Sequence, residues 1–139
     1  MPIRSTPALH RQLLISSGLH SVAARLPNKV AMTCQNVTRT YGELAERVRR
    51  VCGGARQCIE LSKGDRVAVI APNCIEYAEL VVGFADAGCI VATLNPRSTA
   101  REIEAACNDC SARLLVVHPS LGGAIATCRF SSVERVIVL

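Results

Sequence analysis

The chain has 139 residues, half of them hydrophobic and 19% charged, with a net charge of +5; this fits one domain or part of one and excludes a disordered chain. No apolar run reaches the roughly 18 residues that a membrane span needs, and the closest candidate, LVVGFADAGCIVATL (residues 80–94), is broken by Asp86 and two glycines. Two Phe, two Tyr and no Trp argue against a nucleic-acid platform built on aromatic stacking.

Charge is unevenly placed. Residues 1–59 hold nine Lys/Arg against two Asp/Glu, residues 60–139 seven against nine, and no acid precedes Glu43. A basic patch that attracts an anion, an Arg-bearing targeting leader and a plain solvated helix face all fit this bias. The last is the preferred reading, with Arg47, Arg49, Arg50 and Arg56 pointing at water. Residues 1–12 are set apart as a flexible leader.

Leu9, Leu13, Leu14, Val22, Ala23 and Leu26 recur at helical spacing, so a helix is predicted over 9–26, stopped by Pro27. VAMTC (30–34) and TRTY (38–41) read as two strands of a hairpin turning at Gln35-Asn36. Thr40-Tyr41-Gly42-Glu43 has the form of a capping box, in which the Thr hydroxyl accepts an orphan N–H and the Glu reaches back. The helix it opens runs through Leu44, Val48 and Val51. Gly53-Gly54 inside that helix is unfavourable by about 1 kcal/mol per glycine, which points to close packing as their reason.

From Gly64 onward the pattern is regular. RVAVI (66–70), CIVATL (89–94), RLLVV (113–117) and RVIVL (135–139) are short, branched and apolar, as strands covered on both faces should be. Helices are expected between them: one from Pro72 to about Gly88, one opened by a second capping box at Thr99-Ala100-Arg101-Glu102, and one after Pro119. The fold class is therefore α/β. A doubly wound parallel sheet of βαβ units follows an N-terminal helix and β-hairpin. An apolar strand at 135–139 with no cap after it reads as an incomplete piece of a larger domain.

Eight cysteines invite a disulfide framework, but most sit among Val, Ile, Ala and Leu, where a thiol behaves as a small hydrophobe. A reducing compartment is expected. Cys107-Asn108-Asp109-Cys110 has a redox- or zinc-like spacing, yet it falls at a helix end, where the dipole opposes a thiolate, and no second ligand pair exists. Other chemistry is equally incomplete. Ser120-Leu121-Gly122-Gly123 lacks the Lys and the glycine spacing of a phosphate loop and reads as a turn. No GxGxxG or GxSxG occurs. His10, His20 and His118 read as surface or capping residues, and Glu76 and Glu79 as acids favouring a helix dipole.

The stretches AARLPNKVAM, TRTYGELAERVRR, KGDRVAVIAPNCIEYAEL and ADAGCIVATLNPRSTAREIEAA, in this order and spacing, resemble the N-terminal subdomain of AMP-forming acyl-CoA synthetases. That adenylate-forming superfamily also includes firefly luciferase and nonribosomal-peptide adenylation domains. The resemblance covers 13–139, which implies the incomplete N-terminal part of the adenylate-forming fold. It also implies a parent reaction in which a carboxylic acid attacks the α-phosphate of ATP with Mg²⁺ and the acyl group then passes to coenzyme A. The family's Ser/Thr/Gly-rich phosphate loop, its adenine- and ribose-binding segment and its lysine-bearing C-terminal domain have no counterpart in the sequence. No catalytic, cofactor-binding or metal residue is carried over. Only scaffold is: KGDRVAV as an inner strand and Asn95-Pro96 as the turn after the next. Relatives usually place Gly near Glu60 to close a helix in the left-handed conformation, so Glu60 is expected to be strained or the cap reshaped.

The resulting expectation is an N-terminal fragment of an ATP-dependent carboxylic acid–CoA ligase, inactive alone and holding no cofactor itself. It would be intracellular, in the cytoplasm, with peroxisome, mitochondrion and plastid left open. Nucleic acid is not expected as a partner; association with a full-length homologue is. The alternatives are a stand-alone interaction module and a flavodoxin-like nucleotide-binding domain.

Overall fold

The computed structural model describes residues 15–139. The expected leader at 1–12, together with Leu9, His10, Leu13 and Leu14, lies outside them. Helix α1 (Ile15–Arg25) precedes strands β1 (Val30–Cys34) and β2 (Val37–Thr40), which pair antiparallel as a separate two-stranded sheet. Gln35 makes the turn with a left-handed φ of 52°. Tyr41, expected in the second strand, instead begins helix α2 (Tyr41–Gln57). The Thr40–Glu43 capping box is fully formed, with Thr40 as the N-cap.

The main sheet contains β3 (Arg66–Ile70), β4 (Ile90–Leu94), β5 (Leu114–Val117) and β6 (Arg135–Val138), all parallel, in spatial order β4-β3-β5-β6. Helix α3 (Ile75–Asp86) connects β3 to β4, and α4 (Ala100–Asp109) connects β4 to β5. Because side chains alternate along a strand, the two inner strands feed two cores. Val67, Val69, Leu114 and Val116 pack with Ala55, Leu61, Leu80 and Phe84 on the α2–α3 side. Ala68, Ile70, Leu115 and Val117 pack with Ile103, Cys107 and Ala112 on the α4 side. The sheet is doubly wound, as expected.

Three expectations need correction. Only β3 and β5 are covered on both faces; β4 is partly open and every residue of β6 is exposed, because these two form the edges of the four-stranded sheet. Helix α3 begins at Ile75 rather than Pro72: Cys74 is its N-cap in extended conformation, and Pro72-Asn73 stays in the loop. Beyond Pro119 there is no full helix, only a 3₁₀ turn (Pro119–Leu121) and the single turn α5 (Gly122–Ile125). The second capping box, Thr99 with Glu102, forms as expected.

The departure at Glu60 is borne out as local strain. After the C-cap at Cys58, Glu60 takes a left-handed φ of 60°, which turns the Leu61 N–H onto the Ala55 carbonyl at 2.9 Å and Leu61 into the core. A non-glycine residue there costs about 1–2 kcal/mol, and glycine gives back part of the gain through its extra unfolded-state freedom. Glu60→Gly is therefore expected to stabilise the fold by about 0.5–1 kcal/mol, read as a higher urea midpoint at unchanged m-value.

Candidate functional site

In an open parallel sheet, ligands bind beyond the carboxyl ends of the strands where the strand order reverses. Here the chain leaves β3 for β4 on one side and then crosses back to β5 on the other, so the reversal lies between β3 and β5. A cavity of about 550 Å³ occupies that end of the sheet, lined by Pro72 and Asn73 after β3, Asn95, Pro96 and Arg97 after β4, and Ser120 and Leu121 after β5. Its size falls within the range of small-molecule sites. A second cleft, about 300 Å³, adjoins it through Pro72 and Asn73 and is walled by the hairpin tip (Cys34, Gln35, Val37), by Cys74, Ile75 and Glu76 at the start of α3, and by His118.

The larger cavity offers amides, a hydroxyl and one guanidinium. Asn95 Oδ1 accepts the Arg97 backbone N–H at 2.9 Å, which fixes the turn that presents Arg97. His118 Nδ1 accepts the Ser120 backbone N–H at 3.2 Å and lies 2.8 Å from the Ser120 Oγ. Its ring thus caps the 3₁₀ turn, the structural role expected for this histidine. The arrangement can bind a polar or anionic group. His118 itself lines the adjoining cleft together with Glu76, and its Nδ1 is engaged by Ser120, so the ring serves there as a cap.

Among the described residues, no group of three or more His, Cys, Asp or Glu is placed to hold a metal ion. Gly122 and Gly123 do not form a phosphate cradle either: Gly122 has an ordinary helical φ of −56°, and a Cβ on either glycine would meet nothing within 4 Å. Cys107 is buried, and burial pushes its thiol up to about 11, so the Cys107/Cys110 pair has no reactive thiolate at neutral pH on that side.

Three polar residues, Glu79, Arg47 and His20, make long-range contacts that the local sequence pattern does not show. Glu79 does more than favour the helix dipole: it is 2% exposed, one turn into α3, with Arg39 Nε of β2 at 3.5 Å from Oε1 and Arg47 Nε of α2 against Oε2. Arg47 therefore does not simply point at water, and its pairing with Glu79 raises its pKa. Arg49 and Arg50 do lie outward, each paired with Glu46. His20 does have a carboxylate partner. Its Nε2 lies 3.1 Å from Asp86 Oδ2, and Ser16 donates to Asp86 Oδ1 at 2.5 Å. Burial pulls the Asp86 pKa upward, but the Ser16 and His20 contacts outweigh it and leave the carboxyl below its ordinary value. Both clusters fasten elements to α3: Glu79 holds the hairpin and α2, Asp86 holds α1.

Sequence reasoning missed the crevice-lining residues Pro72, Asn73, Arg97 and Ser120 as a group. The available signal was their position just after three successive predicted strands, where the switch-point rule applies.

A family profile described as AMP-binding enzyme matches residues 19–138. Among curated proteins, the chain is 36% identical over 94 residues to a long-chain-fatty-acid–CoA ligase of Escherichia coli O6:H1, covering 68% of this chain and 17% of that protein. It is 30% identical to the enzyme of that name from Bacillus subtilis, covering 89% and 22%. The chain thus spans about a fifth of the length of these relatives. Among solved structures, an anthranilate CoA ligase in complex with anthranoyl-AMP superposes with a TM-score of 0.86 at 20% identity, covering 91% of this chain and 25% of that one. A Mycobacterium tuberculosis fatty acyl CoA synthetase gives 0.81 at 23% identity, covering 91% and 26%. At such identities the superpositions establish the shared fold.

Proposed function

The chain belongs to the AMP-binding enzyme family, and from that premise we propose that residues 13–139 are the N-terminal subdomain of an ATP-dependent, AMP-forming carboxylic acid–CoA ligase, catalytically inactive by itself. The parent reaction joins a carboxylic acid to the α-phosphate of ATP, releasing pyrophosphate, and then transfers the acyl group to coenzyme A. In this reading the crevice beyond β3, β4 and β5 is one wall of the ligand site. Asn73, Asn95 and Ser120 supply neutral hydrogen-bonding groups there, and Arg97 a positive charge for an anionic ligand. The observation that carries the proposal is the family match over residues 19–138, together with a crevice at the carboxyl ends of β3, β4 and β5.

Stabilising the charge that builds on phosphorus oxygens takes converging donors or a metal, and a single Arg97 is too little. Purified chain is therefore expected to show no ATP–pyrophosphate exchange above background with fatty or aromatic carboxylic acids. Acid-dependent exchange would overturn the proposal. ATP and coenzyme A are intracellular metabolites, and all eight cysteines are free, so the cytoplasm is the compartment this reading favours.

A second reading rests on β6. Val136, Ile137 and Val138 are 45%, 36% and 56% exposed on a strand paired on one side only, which suits an interaction module that docks a full-length homologue through this edge. A soluble monomer with one cooperative thermal transition would support the module. An aggregating or molten species would support the dependent fragment.

A further inference from the structure

We propose that Cys34 and Cys74 are a redox-responsive pair whose disulfide staples the hairpin tip to the loop after β3, at the rim of the crevice. The proposal stands independently of the ligase reading and needs no acyl substrate.

The two thiols line the same cleft. Cys34 is the last residue of β1, and its Sγ donates to the Asn73 carbonyl at 3.6 Å, which belongs to the peptide bond leading into Cys74. Cys74 is the extended N-cap of α3, and the thiols stand near enough that a charge on Cys34 raises the Cys74 pKa, a smaller effect than that of burial. Both residues are free and partly exposed, so a small oxidant reaches them. The hairpin has no strand pairing with the parallel sheet, so its tip can close on Cys74 without breaking a ladder hydrogen bond. Arg39, held by Glu79, meanwhile keeps the hairpin seated on α3.

The other cysteines are placed differently. Cys89 and Cys107 are buried, and Cys52 on α2 packs against the core cluster that contains Cys89, away from the cleft. Cys110 and Cys128 have their thiols directed at the carbonyls of Cys107, Ala100 and Ala124. Cys58 is exposed just beyond the end of α2 and takes no part in the cleft.

The chemistry balances with a low-molecular-weight disulfide as oxidant. The Cys34 thiolate attacks one sulfur of that disulfide, forming a mixed disulfide and expelling one thiolate. The Cys74 thiol then gives its proton to solvent and attacks the Cys34 sulfur, expelling the second thiolate. Two protein thiols are oxidised, and one disulfide is reduced to two thiols. Closing the segment between residues 34 and 74 restricts the unfolded chain, so the oxidised form should be the more heat-stable.

The test is incubation of the folded full chain with glutathione disulfide, followed by peptide mapping without reduction. The expected result is a dominant Cys34–Cys74 link, reversed by dithiothreitol, and a Tm about 5 °C or more above that of the reduced chain. Cys74→Ser should stop the reaction at a glutathione adduct on Cys34, and oxidation in denaturing urea should scramble the pairing. A disulfide needs its two Cα atoms within about 7 Å. A wild-type chain that stops at the Cys34 adduct, or links Cys58 in preference, overturns the proposal.

Discussion

Replacing Arg39 and Arg47 together with methionine should destabilise the protein by about 3–5 kcal/mol, the usual penalty for leaving a buried charge without its partner. The asymmetry of exposure makes the effect large. The Glu79 side chain is 3% exposed, whereas those of Arg39 and Arg47 are 26% and 42% exposed. With Glu79 removed, both guanidinium groups can turn to water; with both arginines removed, the carboxylate has nowhere to go. Methionine keeps much of the aliphatic volume, so packing changes little. Each single arginine variant should lose distinctly less, since the other cation remains. Adding Glu79→Leu to the double variant should restore most of the stability, because exchanging a whole buried ion cluster for apolar side chains is often neutral. Urea midpoints of the four proteins check this. If the triple variant is as unstable as the double, the loss lies in arginine packing rather than in the stranded charge.

This cluster also shows where sequence reading runs out. Thr40 with Glu43 and Thr99 with Glu102 were legible because a capping box is written within four consecutive residues, and β3 because an inner strand is apolar throughout. Glu79 lies 32 residues from Arg47 and 40 from Arg39 in the chain, and Asp86 lies 66 from His20. Such pairs are made by the packing of α1, α2 and the hairpin on α3 and leave no local pattern. The same holds for the edges. The apolar runs at β4 and β6 resemble that of β3, and only the strand order β4-β3-β5-β6 shows which are covered. The crevice is half legible: Asn95-Pro96 reads as a turn from its sequence, but its meeting with Asn73 and Ser120 follows from the reversal between β3 and β5.

Glycine gives the clearest case of a right principle applied to the wrong residue. Close packing was expected to account for Gly53-Gly54, yet a Cβ at either position would meet nothing within 4 Å. The close approach is on the facing helix: a Cβ on Gly83 would stand 2.5 Å from the Cβ of Val51 and 3.2 Å from the Val48 carbonyl oxygen. Val51 is β-branched with a stiff χ1, and the obstructing atom is its own Cβ, so no rotamer change relieves the clash. Gly83→Ala is therefore expected to force α2 and α3 apart and to cost about 1–3 kcal/mol as overpacking, even though alanine favours the helix by about 1 kcal/mol. Since α3 also carries Glu79 and Asp86, the displacement should loosen the hairpin and α1 together, visible as faster amide exchange in residues 15–40. Val51→Ala in the same chain removes the Cγ1 that would stand 2.6 Å away but keeps the Cβ, so it should recover only part of the loss. Gly53→Ala and Gly54→Ala, with open space and helical backbone, should each instead gain up to about 1 kcal/mol. Opposite signs from one substitution type, measured as thermal midpoints, test whether the α2–α3 contact sets the spacing of this layer. A neutral Gly83→Ala would show that the two helices are free to separate.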